Sequence, residues 1–153
     1  MALDSIRMRK KVEAFLRGKA PDTRKRLEAF YLNTPSMYGV RANSEFLTVE
    51  SMVCGVANAA DILWCYHFTM KVKYHIIFPM GRTHAVVFLS KDGSQYRAVV
   101  PTHNAACKLM DFLKDRMTNT AFGNDQALFD LWNSTDPGKV EKFHTYARAQ
   151  RQL

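Results

Sequence analysis

The sequence predicts an α+β fold, with a small antiparallel sheet packed on a buried central helix and further helices at both ends. Three observations predict it. The hydrophobic period is helical at the N-terminus, changes to strand alternation after residue 70 and returns to helical from Ala105 onward. The strand-like segments fall in one run joined by a turn, not alternating with helices as in a βαβ chain. The composition, 47% hydrophobic and 24% charged over 153 residues, suits one globular domain whose core needs no disulfide or metal staples. That domain, 1–153, divides into basic N-terminal helices (1–32), a central core (48–104) and C-terminal helices (105–153).

Asp4 or Ser5 is placed to cap a first helix reaching about Arg17, with Ile6, Val12, Phe15 and Leu16 on its apolar side and Gly18 as its stop. Pro21 opens a second helix whose apolar side is Leu27, Phe30 and Tyr31. Asn33 to Asn43 reads as a loop, because it holds Thr34, Pro35, Ser36 and Gly39. A third helix is expected from Thr48 or Ser51 to about Phe68. Met52, Val53, Val56, Ala59, Ala60, Ile62, Leu63 and Trp64 make it apolar on most sides, hence central and buried. Val72, Tyr74 and Ile76 then alternate with Lys71, Lys73 and His75 as a strand. Arg82 to Leu89 forms a more buried strand, Lys91-Asp92-Gly93-Ser94 a turn, and Gln95 to Val100 a third strand stopped by Pro101. Ala105 to Met117 is helical, and two short helices follow, separated by Asp136-Pro137-Gly138.

The net charge is +8, from 22 Lys and Arg against 14 Asp and Glu. Nine of the basic residues and only two acidic ones lie between Arg7 and Arg26. This run is either a solvated helix surface or a patch for nucleic acid or an acidic protein, with Arg7, Arg9, Lys10, Lys11, Lys25 and Arg26 as the contact residues. No helix-turn-helix, zinc-finger or RNP motif accompanies it. Three cysteines make no disulfide framework, so free thiols in a reducing, cytoplasmic setting are expected. No apolar run is long enough to span a membrane. The histidines and cysteines lack C-x-x-C or H-x-x-x-H spacing, so neither a metal nor another cofactor is expected.

Cys54 falls in the first turn of the expected central helix, next to Gly55. Unsatisfied N–H groups and the positive end of the helix dipole there favour the thiolate. His84 follows thirty residues later at the start of the buried strand. A helix, a return strand and a turn fit in that interval, and would lay the imidazole over the helix start as a base for the thiol. Cys65 and Cys107 read as structural, and His67 and His75 as structural or surface residues. Trp64, Tyr66, Phe68 and Tyr74 read as core.

Cys54-Gly55, an Ala-rich apolar helix, a strand and turn, and His84-Ala85-Val86-Val87 resemble the transglutaminase-like branch of the papain-like cysteine enzymes. The resemblance covers about a third of the chain. It implies a thiol peptidase, amidase, deamidase or acyltransferase acting on a protein or peptide amide, with Cys54 as nucleophile and His84 as base. The family's hairpin ends in Asp-Pro-Thr, whereas this chain has Val100-Pro101-Thr102, and a valine cannot orient an imidazole. Asn104, or else Thr102 or His103, is left to take that role. The hairpin register decides, since either Pro101 or Val100 stands opposite His84. Tyr38 is placed to line the cleft. Arg82 either binds a substrate carboxylate or faces solvent. The rival reading is a non-catalytic basic binding module on the same fold that engages nucleic acid or an acidic protein, such as a phage, viral or effector-type host modulator.

Overall fold

A computed structural model describes residues 6–73 and 79–152, and only the backbone of residues 6, 70–73 and 79–82. The cap expected at Asp4 or Ser5 and the position of His75 lie outside the described residues, as does the Arg82 side chain. The first helix, α1 (Ile6–Leu16), and the second, α2 (Pro21–Asn33), form as expected. Gly18 separates them at φ +74°, where a side chain would be strained. Pro21 occupies the first turn of α2, where its missing N–H costs no hydrogen bond.

The expected loop from Asn33 to Asn43 contains structure. Met37 and Val40 exchange backbone hydrogen bonds of 2.9 and 3.0 Å around Tyr38 and Gly39, both at positive φ. That is a tight turn of the kind that joins twisted antiparallel strands. Strands β1 (Val40–Ala42), β2 (Phe46–Val49) and β3 (Gly55–Asn58) then pair in order as an antiparallel sheet.

The central helix expected over Thr48–Phe68 does not form. Its residues make the end of β2, a short crossing segment, β3, a single 3-10 turn (Ala59–Asp61) and most of a long strand, β4 (Ile62–Lys73). The cause lies in burial on two sides. Ile62 and Cys65 enter one core cluster while Leu63 and Trp64 enter another. A strand covered on both faces loses its polar–apolar alternation and looks like a helix that is apolar all round.

β4 pairs with β5 (Pro79–Ser90), and β5 with β6 (Gln95–Val100). Val100 stands opposite His84, which selects one of the two registers. The sheet is mixed, because β7 (Ala121–Phe122) adds a parallel edge beside β4. Helix α3 (His103–Lys114) follows β6, and α4 (Gln126–Trp132) and α5 (Lys139–Arg151) flank Asp136-Pro137-Gly138. The fold is therefore α+β, with two small sheets among the described residues in place of one sheet on a helix.

Three apolar clusters order these layers. Leu109 and Leu113 of α3 pack with Val40 and Leu47 of the first sheet and Val86 and Phe88 of the second. Met8, Val12, Leu27 and Phe30 of the N-terminal helices cover Phe46 and Val56 on the first sheet's other side. Leu128 and Phe143 cover Trp64 and Val87 on the far side of the second sheet. Val53 pairs with Arg97 and ties the two sheets at their edges. Among the described residues no helix is long and apolar enough to cross a membrane.

Candidate functional site

Cys54 lies between the Val53 bridge and β3, with no helix starting at it. Its side chain is buried against the α1–α2 cluster. The helix start on which the resemblance seats the nucleophile is thus absent. His84 lies elsewhere. Val53 meets β6 at Arg97, whereas His84 pairs with Val100, three residues along that strand, or about 10 Å at the rise of a β-strand. β6 also separates the Val53 segment from β5. The fold therefore does not bring Cys54 and His84 into contact.

The other expected site residues are also used differently. Thr102 caps α3, its hydroxyl accepting the Ala105 N–H at 3.0 Å. Asn104 sits exposed in the first turn of that helix. Neither holds the His84 ring, whose Nδ1 faces Nε2 of His67 at 2.9 Å. Tyr38 occupies the tight turn before β1 and is 41% exposed.

His67 on β4, His84 on β5 and His103 at the start of α3 come together where that helix meets the β4–β5 ladder. The ring centres of His67 and His84 are 5.1 Å apart, those of His67 and His103 4.9 Å, and those of His84 and His103 6.5 Å. The Thr69 hydroxyl lies 3.4 Å from both His67 Nε2 and His84 Nδ1. Cys107 Sγ is 3.6 Å from His103 Nε2. Burial, then the neighbouring His103 and His84, hold the His67 imidazole below its ordinary value of 6.5. Among the described residues, no group of three or more His, Cys, Asp and Glu side chains is arranged to hold a metal ion. The sequence gives one sign of this cluster, the helical i, i+4 spacing of His103 and Cys107. The strand partners His67 and His84 become neighbours only through the register.

The basic segment resolves into paired and unpaired cations. Arg24 pairs with Glu13 at 2.9 Å, and Arg26 with Asp22 and with Glu45, the latter at 3.1 Å. Arg7 donates to the Met52 carbonyl at 3.3 Å. Arg26, expected to contact a partner, is thus held by its own chain. Arg9, Lys10, Lys11, Arg17 and Lys25 are exposed and form no ion pair with a described residue.

Beside α1 runs an open groove of about 430 Å³ between that helix, β3 and the β5–β6 turn. Phe15, Val56 and Tyr96 supply apolar lining, while Lys11, Asp92 and Gln95 supply polar groups. Cys54 borders it, and His84 does not. A second concavity, on the outer side of α1, is lined by Arg9, Lys10, Glu13 and Arg17. This arrangement offers exposed positive charge next to a groove of mixed polar and apolar lining. No known family model, curated protein or solved structure matches the chain.

Proposed function

We propose that the protein is a non-catalytic docking module that binds an acidic, partly apolar protein segment along α1. The observation that carries this reading is the set of exposed cations without carboxylate partners among the described residues, Arg9, Lys10 and Lys11 on α1 and Arg17 just past its end, beside a groove that mixes the apolar Phe15, Val56 and Tyr96 with polar groups. Exposed cations steer an acidic partner and set its orientation. The groove beside Phe15 and Tyr96 takes apolar side chains between the acidic ones. A phosphate backbone would use the charge but not the apolar surface of Phe15, Val56 and Tyr96, so an acidic protein is favoured over a nucleic acid. The thiol-hydrolase reading has no comparable support, since no helix starts at Cys54 and the fold sets His84 apart from it.

Fluorescence anisotropy tests the proposal. The probes are a labelled peptide mixing Glu and Asp with Leu and Phe, and a single-stranded oligonucleotide of equal length. The peptide is expected to bind more tightly, with affinity falling steeply as salt rises. The triple variant Lys10→Glu, Lys11→Glu, Arg17→Glu should weaken it by at least about tenfold. Tighter binding of the oligonucleotide would replace the acidic protein with nucleic acid. Undiminished peptide binding by the triple variant would remove the reading altogether.

A further inference from the structure

We propose that His67, His84 and His103 form a proton-operated latch, in which the neutral rings hold the first turn of α3 against the β4–β5 ladder and proton uptake releases that turn. The inference is independent of the docking reading, because the latch lies on the opposite side of β6 from the Val53 edge that leads to the α1 groove.

The geometry states what the rings must be. In the contact between His67 Nε2 and His84 Nδ1, at 2.9 Å, one nitrogen donates and the other accepts. A fully protonated pair has no acceptor and cannot form it. His103 approaches the pair from α3, its ring tilted 52° to that of His67 with the centres 4.9 Å apart. Three imidazolium rings at these separations would repel one another in a half-buried site. The first turn of α3 adds the positive end of its dipole, which also disfavours cations there.

The surroundings do not offset that charge. From β4 the cluster is faced by Thr69, and from β5 by His84 itself. From β6 it meets Val100, opposite His84 in the register. From α3 come His103 and the Cys107 thiol, with Lys108, Asp111 and Lys114 further along the same helix, the last two paired with each other at 3.6 Å. From the segment after β7, the neutral Asn124 side chain binds the His67 backbone at 2.7 and 3.2 Å. No carboxylate of a described residue bonds or pairs with any of the three rings. Protonation is therefore relieved by moving one ring away. The mobile choice is His103, since it stands at a helix end while His67 and His84 are fixed by the strand ladder.

Amide exchange of the full chain tests this, with a chelator present, from about pH 8 to about pH 5, which brackets the imidazole range. The reporters are the Ala105 N–H, bonded to the Thr102 hydroxyl, and the Ala106 N–H, bonded to the Thr102 carbonyl at 3.1 Å. Their protection factors, corrected for intrinsic pH dependence, should fall at least tenfold more on acidification than those of Val87 in the sheet, which follow global stability. His103→Gln, at an exposed position, and His67→Gln should each flatten the step. His103→Gln alone decides the matter if the other variant does not fold. Flat protection at Ala105 and Ala106, an equal loss at Val87, or a step that survives in His103→Gln would overturn the latch.

Discussion

His67 and His84 meet across the β4–β5 ladder with ring nitrogens 2.9 Å apart, although their backbones are offset by two residues in the register, His67 pairing with Val86 and His84 with Thr69. Diagonal partners on one face of an antiparallel pair lie within reach of large side chains, and here the two rings close that gap themselves. The consequence is a dependence of stability on pH. Burial is the first cause of the lowered His67 value, followed by His103 and His84. The folded state therefore binds this proton less readily than the unfolded chain. Stability is full above the ordinary imidazole value of 6.5 and falls as pH drops below it, down through the lowered folded value. Urea denaturation at a series of pH values should show this loss, and His67→Gln should reduce its slope.

Thiol reactivity separates the docking reading from the hydrolase reading. Cys107 is exposed beside His103, whereas Cys54 and Cys65 are buried. Burial pushes the Cys65 thiol strongly up, which keeps it in its unreactive form. Iodoacetamide at neutral pH should therefore label Cys107 first, as read by peptide mass mapping, and Cys54 and Cys65 only under denaturing conditions. Fast labelling of Cys54 in the folded protein would restore the case for an activated nucleophile there.

Much of the chain is legible in the sequence wherever one side of an element faces water. α1 and α2 carry a clear apolar stripe, and Gly18 and Pro21 mark their junction. β5, its turn and β6 follow from Asp92-Gly93 and the stop at Pro101. The reading fails where burial is two-sided. Ile62 to Cys65 are all buried, Ile62 and Cys65 in one cluster and Leu63 and Trp64 in another, so no period distinguishes a strand from a buried helix. β1 and β2 are too short to announce themselves among the polar turn residues around them. The expected Cys54–His84 pair depended on that missing helix. The histidine cluster escaped notice for the complementary reason, that two of its rings are joined only by strand register.

Thr102 gives a stability test free of any catalytic assumption. Its hydroxyl accepts the Ala105 N–H as the α3 N-cap. Thr102→Ala leaves that donor to water and should cost about 1 kcal/mol. Thr102→Ser keeps the oxygen and should recover most of the loss. Chemical denaturation of the two variants measures the difference.

Gly55 is a position where even the smallest added side chain should do harm. An added Cβ would lie 2.1 Å from Tyr96 Cε1 and 2.5 Å from its Cδ1. The phenol ring is rigid and half-buried, so it cannot bend a single atom out of the way. The ring must rotate or β3 must lift, and β3 is held by its pairing of Gly55 with Val49. Overpacking of this kind costs about 1–3 kcal/mol, and Gly55→Ala should lose stability within that range. Adding Tyr96→Leu to Gly55→Ala would remove the obstructing ring, so the double variant should be more stable than the sum of the two single losses allows. A double-mutant cycle by urea denaturation reads this coupling directly, and additive losses would show that Gly55 and Tyr96 do not share the space assigned to them.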